Sequence, residues 1–360
     1  MSPGLQSAPT FGSAPFALSV HSGGGPGVGR TAAEGLADTI RIAKAADRFG
    51  YHRFWMSEHH AMPALSVASP PLMIARLTAD TERIRLGAGG VMLPNHAPLV
   101  IAEQFGMLDA LASGRIDLGL GRAPGTDGAT AAALRRGAGA NDAFPQQVAE
   151  LLGFLTEDFP AGHPYRGVHA VPGPWQHAQN RVPAPATHPQ VWILGSSPYS
   201  AQLAARLGRP YAFALQFGDA DITTAMRIYR ENFIPSEVLD QPYSLVSVST
   251  MVAEDAADAQ REASTAAMAM LRMFKQEPYT LFSAEEVAAY PATANEQAIL
   301  DMYTNRAYAG TAETVAHRLE DLQEQTAVDE VMVVLGTHSR GADERTVALL
   351  ADHYGRSAQP

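Results

Sequence analysis

Chemistry is concentrated in four short stretches of this chain. In the first, Glu58, His59 and His60 follow directly on an apolar run, Phe54-Trp55-Met56-Ser57. Imidazole ionises closest to neutrality, so a histidine beside a carboxylate is a candidate acid or base. Neighbouring residues of a strand point to opposite faces, which makes His59 and His60 poor co-ligands for one ion, and no metal site is expected. One of the two can face a barrel mouth as the base while the other is hydrogen-bonded into the wall. An arbitrary histidine is more often structural, but in parallel sheets chemistry gathers at the carboxyl ends of strands.

The second stretch, Gly195-Ser196-Ser197-Pro198-Tyr199-Ser200, stands between a strand pattern and a helix pattern. Free backbone N–H groups there, with the hydroxyls of Ser196, Ser197 and Ser200, suit a phosphate at a helix N-terminus. A plain serine cap explains the same residues equally well. Arg122, projecting from another strand end, can supply the counter-charge, and together they outline a pocket for a phosphorylated cofactor. The third stretch is the glycine pair Gly89-Gly90, read as the end of a strand over Ile84–Ala88. Glycine lets a backbone approach a flat ligand closely, so a bulkier residue at Gly90 is expected to harm binding more than stability. The fourth, Gly24-Gly25-Pro26-Gly27-Val28-Gly29-Arg30-Thr31, has the spacing of a phosphate-binding P-loop. Its basic residue is Arg30 rather than the lysine such a loop needs, and no acidic magnesium ligand is evident, so a flexible loop is the better reading.

The elements that must position these groups alternate. Strands are expected at Phe16–Val20, His52–Ser57, Ile84–Ala88, Arg115–Leu120, Gln190–Leu194, Tyr211–Leu215, Leu245–Val252 and Val331–Leu335. Helical apolar spacing lies between them, with Thr31 and Glu34 forming a capping box and Gly114 closing a helix. Helices are expected at Ala220–Glu231 and Ala256–Phe274 among others, and Lys275–Ala309 reads as an irregular, polar lid. Eight strand–helix units imply a parallel sheet closed into a (β/α)8 TIM barrel, with an open doubly wound sheet as the alternative.

Composition narrows the function. The net charge of −11 argues against nucleic-acid or anionic-membrane partners. The absence of cysteine removes disulfides, thiolate catalysis and cysteine-ligated zinc. No apolar run is long enough to span a bilayer. Residues 1–15 lack a basic start and an apolar core, so they are expected to be a disordered tail rather than a secretion signal, with residues 16–360 as one domain and the cytoplasm as the default compartment.

The ordered set FWMSEHH (54–60), IRLGAGGVMLPNHAPLVIAEQF (84–105), GRIDLGLGRAPGTD (114–127) and VWILGSSPYSAQLAARLG (191–208) resembles the bacterial luciferase family of flavin-dependent oxidoreductases. That resemblance implies the same barrel, reduced FMN used with dioxygen or in some branches a deazaflavin, and a homodimer. By position, His59 matches the family's catalytic histidine, Gly89 and Gly90 a pair joined by a cis peptide beneath the flavin ring, and Arg122 an arginine on the flavin phosphate. Ser197 and Ser200 match phosphate-binding positions. Ser196 stands where luciferase has a glutamate and Gly121 where it has a reactive cysteine, which bears on light emission and an aldehyde substrate but not on flavin binding. No nicotinamide fingerprint is evident, so a separate reductase is expected to supply reduced FMN to a monooxygenase acting on a small organic substrate. A deazaflavin-dependent dehydrogenase and a non-catalytic flavin-binding protein are the alternatives.

Overall fold

A computed structural model describes residues 8–137, 139–185, 187–217 and 221–359. Among these residues nine strands form in chain order: β1 (Ala17–Ser22), β2 (Arg53–Met56), β3 (Arg85–Met92), β4 (Ile116–Gly121), β5 (Gln190–Gly195), β6 (Tyr211–Ala214), β7 (Ser244–Val252), β8 (Tyr308–Gly310) and β9 (Glu330–Leu335). All their pairings are parallel: β1 to β6 pair in sequence order, β6 pairs with β7, β7 with β9, and β9 with β1. The sheet therefore closes on itself as an eight-stranded barrel, and the open doubly wound arrangement is excluded. Its strands are the eight expected from the sequence. They read as near-continuous apolar runs because helices cover the outer face and side chains fill the inner one.

Strand β8 lies outside that ring. It extends the far half of β7, with Thr250 opposite Tyr308 and Val252 opposite Gly310. It falls in the segment expected to be an irregular lid, which instead holds helices Ala284–Ala289 and Ala294–Arg306. Both begin with capping boxes, Ser283 with Glu286 and Thr293 with Glu296, so local polar chemistry rather than apolar periodicity starts them. The capping box of Thr31 and Glu34 forms as expected on helix Ala32–Phe49. Ala220, the expected start of the Ile222–Glu231 helix, lies outside the described residues, and Asp221 caps that helix.

Two further expectations are corrected. Residues 8–15 are no loose tail: Phe11 is 1% exposed, packed against the Tyr51 ring at a tilt with centroids 4.4 Å apart, and its ring is also beside Tyr354. Residues 1–7 of that expected tail lie outside the described residues. Gly89 and Gly90 do not end their strand but sit within β3, where the pairing with β4 slips between Gly89 and Val91. The Gly89–Gly90 peptide is cis, as the resemblance implied.

The amino end of the barrel is filled by charge. Arg53, at the start of β2, is fully buried and donates to Glu330 at 3.0 Å, Asp117 at 2.8 Å and Gln190 at 2.9 Å. Arg85 adds a second cation on Asp117, at 2.6 Å. Each buried charge is paired, which such burial demands, since an unpaired ion would cost several kcal/mol. Above this layer Trp55 and Trp192 meet edge to face with centroids 5.1 Å apart. The carboxyl end is left for a cavity.

Candidate active site

At the carboxyl end of β2 the chain turns outward through Glu58-His59-His60, and the carboxylate is the hub. Glu58 is buried and accepts from His60 Nε2 at 2.9 Å, Asn95 Nδ2 at 3.0 Å, the Met92 N–H at 2.9 Å and His96 Nε2 at 2.9 Å. Burial alone would raise its pKa, but the bonds and charge of His96, His60 and Asn95 outweigh that and hold the acid at about 2. Glu58 thereby pins the end of β2 to the turn after β3. Arg136 extends the lattice, donating to Asn95 at 2.7 Å and to the Arg122 carbonyl at 2.6 Å.

The two adjacent histidines separate in the turn beyond the end of β2. His60 is tied to Glu58, whereas His59 lines a cavity of about 550 Å³ with its Nδ1 3.3 Å from the Gly125 carbonyl. Burial is the main influence on His59 and lowers its pKa, so its neutral form is favoured. The cavity has the size of small-molecule sites, roughly 300–1,000 Å³. Its wall is mostly apolar: Gly89 and Met92 come from β3, Met270 from helix Ala256–Phe274, and Leu281 and Tyr303 from the expected lid. His21, at the end of β1, lines it too, and sequence reasoning passed it over as part of a glycine-rich loop. The roles of Asn95 and His96 were also missed, although both stand inside a quoted motif.

The glycine pair also has a packing role that the sequence did not show. A Cβ on Gly89 would lie 2.7 Å from the Trp55 ring, and one on Gly90 would lie 2.6 Å from Leu194 and 2.7 Å from the Gly119 carbonyl. Both positions demand glycine first for packing inside the barrel. A side chain at Gly90 thus strikes the sheet itself, and its first cost is stability.

Strands β4 and β5 are neighbours, so Arg122 and the loop after Gly195 share one sector of the same rim. The Arg122 guanidinium stacks over the Tyr199 ring at 4.2 Å, in the first turn of helix Pro198–Arg206. Ser197 is the N-cap of that helix and makes no capping bond, and Pro198 removes one donor. The next N–H groups are left uncapped at the positive end of the dipole, beside a cation. Ser196 and Ser197 are partly exposed there, but Ser200 is buried, with its hydroxyl donating to the Ser197 carbonyl at 2.9 Å and 3.2 Å from the Tyr211 hydroxyl. By contrast, the P-loop-like stretch has no cation to offer: Arg30 is paired with Asp38. Among the described residues no group of histidines and carboxylates is arranged to hold a metal.

Comparison with known proteins places this architecture. A family profile described as "Luciferase-like monooxygenase" matches residues 15–330. A "Luciferase-like monooxygenase" of Escherichia coli (strain K12) is 40% identical over 306 residues, covering 85% of this chain and 87% of that protein. The crystal structure of apo-MsnO8 superposes with a TM-score of 0.83 at 33% identity, over 96% of this chain and 99% of that one. More distantly, two structures share the fold alone. The oxygenating constituent of 3,6-diketocamphane monooxygenase from Pseudomonas putida, in complex with FMN, has a TM-score of 0.71 at 19% identity over 96% and 99% of the chains. An F420-dependent secondary alcohol dehydrogenase has a TM-score of 0.67 at 13% identity over 95% and 99%. With the closed barrel and a profile match over most of its length, the chain belongs to the luciferase-like monooxygenase family.

Proposed function

We propose that this chain is the oxygenase component of a two-component, FMN-dependent monooxygenase, which oxidises a small and largely apolar organic substrate with reduced FMN and dioxygen. The observation that carries this reading is the pairing of two unlike sites on one rim. An uncapped helix end beside Arg122 suits a phosphate dianion, and the neighbouring strands open on an apolar cavity with His59 in its wall. A phosphorylated flat cofactor needs both. Reduced FMN, when bound, supplies the two electrons that activate dioxygen for transfer of one oxygen atom.

The residues divide the work. Arg122, Ser196, Ser197 and the N–H groups after Pro198 hold the phosphate, and Ser200 keeps the turn in shape from beneath. Gly89 and Gly90 form the wall against which the ring rests. His59, kept neutral by burial, takes or returns a proton at its ring nitrogen. Tyr279, Leu281 and Tyr303 close the cavity against water. A separate reductase delivers the reduced cofactor. In a test with reduced FMN and isotopically labelled dioxygen, the product carries one labelled oxygen atom. Oxidised product formed with an oxidised deazaflavin as hydride acceptor, unlabelled and without oxygen consumption, would point instead to a deazaflavin-type dehydrogenase, the second reading, whose fold the F420-dependent enzyme shares.

The proposal includes a homodimer. Leu72 (75% exposed), Met107 (56%) and Leu111 (64%) leave an apolar face on the adjoining helices Pro70–Thr78 and Pro98–Leu111, which a second copy would cover. Sedimentation returning the mass of one chain would remove this part. No helix among the described residues is long and apolar enough to cross a membrane, and the cytoplasm stays the proposed compartment.

A further inference from the structure

Asn95 takes no part in the roles assigned above, yet its side chain bonds to both segments that hold His59. The His59 ring has one hydrogen bond among the described residues, with Nδ1 3.3 Å from the Gly125 carbonyl. A carbonyl can only accept, so Nδ1 carries the proton, and in the neutral ring the lone pair belongs to Nε2. That contact depends on the spacing of two segments, the end of β2 with His59 and the loop after β4 with Gly125. Asn95 joins them. Its Nδ2 donates to Glu58, the residue before His59, at 3.0 Å and to the carbonyl of Pro124, the residue before Gly125, at 3.1 Å. The amide cannot be reversed: Arg136 donates to its Oδ1 at 2.7 Å, and a guanidinium has no lone pair to offer. On the other side of His59 the segments are tied by the His60 N–H to the Gly125 carbonyl at 3.2 Å and by the Thr126 hydroxyl to the His60 carbonyl at 2.9 Å. Asn95 is the tie that precedes the ring.

We propose that Asn95 is a positioning residue for His59: by tying Glu58 to Pro124 it keeps the Gly125 carbonyl on Nδ1 and so leaves the lone pair of the neutral ring on Nε2, the nitrogen that exchanges a proton in the reaction. This deepens the proposed function and rests on His59 being its acid or base. Without the tie the two segments part on that side, and the released ring takes up the Nε2–H form that histidine favours in water. A base with its lone pair on the wrong nitrogen is misplaced although the residue is still there. His96 donates to the same carboxylate at 2.9 Å, but among the described residues its ring bonds to nothing else, so it grips only one of the two segments.

The experiment is nitrogen NMR of the flavin-free protein labelled with 15N in its histidine rings, at pH 7.5, where burial keeps His59 neutral. Protonated and unprotonated ring nitrogens resonate far apart, and His59→Gln identifies the signals of His59. The wild type should show the Nδ1–H form. Asn95→Leu, close in size but without a donor, should lose it in favour of Nε2–H, and Asn95→Ala, which cannot overpack, should do the same. His96→Ala should keep it. An unchanged His59 signature in folded Asn95→Leu or Asn95→Ala overturns the proposal, as does a wild-type His59 already in the Nε2–H form. An equal loss in His96→Ala also overturns it, because slack at Glu58 alone would then be enough. Since the signature is read without flavin or substrate, it can fail while His59→Ala still lowers turnover. It can also stand while His59→Ala leaves turnover intact, which would remove the role of His59 instead.

Discussion

At the scale of single residues, the neighbouring histidines carry different tasks because Glu58 claims one of them. His59→Ala is expected to lower turnover roughly 10²–10⁴-fold while flavin affinity stays within a few-fold. If His60→Ala with intact folding gave the larger loss in steady-state assays, the base would have been misassigned. The phosphate site makes a second residue-scale prediction. Arg122→Ala removes a charge-assisted contact of roughly 1.5–3 kcal/mol and should weaken FMN about ten- to hundredfold but riboflavin little. Ser200→Ala should do much less, because its hydroxyl is already given to the Ser197 carbonyl. Titration of both flavins with both variants decides it. These roles were only half legible in the sequence. The type and position of Glu58, His59 and Arg122 could be read, but the inward turn of Ser200 and the wall position of His21 depend on packing between strands far apart in the chain.

Residue-scale electrostatics also set an acid limit. Burial lowers His52, like His21, to about 4, against an ordinary value of 6.5. Between those values the unfolded chain binds more protons than the folded one, so stability is full above about pH 6.5 and falls as the pH drops towards 4. Each group contributes on the order of 1–3 kcal/mol. Asp343 acts in the opposite sense, since burial raises it to about 6 and the folded chain is the better proton acceptor below that. The variant His52→Leu isolates one contribution: urea unfolding at pH 7.5 and 4.5 should show a smaller loss of stability on acidification than the wild type. An equal loss would mean that His52 is protonated at no cost in the folded state.

At the scale of elements, the barrel strands announced themselves through apolar runs bounded by glycine and proline, and all eight were found. The three-residue β8 did not, because so short a strand has no period to detect and forms only on the far half of β7. Helices Ala284–Ala289 and Ala294–Arg306 were missed because the first is a single short stretch and the second mixes apolar and polar residues on every face, so their start signals are capping boxes rather than an apolar stripe. The end of β3 was placed too early, since two glycines look like a stop when they are in fact a packing requirement beneath Trp55 and beside Leu194. Gly90→Val should therefore destabilise the fold by about 1–3 kcal/mol or more, as overpacking does. Thermal unfolding of the flavin-free protein measures this directly. A variant with wild-type stability and weakened FMN binding would restore the role first expected for that glycine.

At the scale of the whole molecule, charge plugs the amino end of the barrel around Arg53, and the carboxyl end holds the cavity and the rim. Fold class was legible because alternation of strands and helices survives in any order of magnitude of detail, whereas the substrate pocket is shaped by the segments least regular in sequence. The proposed function requires this rim to bind reduced FMN through its phosphate. An anaerobic titration of the protein with reduced FMN, reduced riboflavin and a reduced deazaflavin cofactor tests it most directly. One FMN should bind per chain with micromolar or tighter affinity, riboflavin at least about tenfold more weakly for want of the phosphate contacts, and the deazaflavin more weakly than FMN. Equal affinity for FMN and riboflavin, or tighter binding of the deazaflavin, would contradict it.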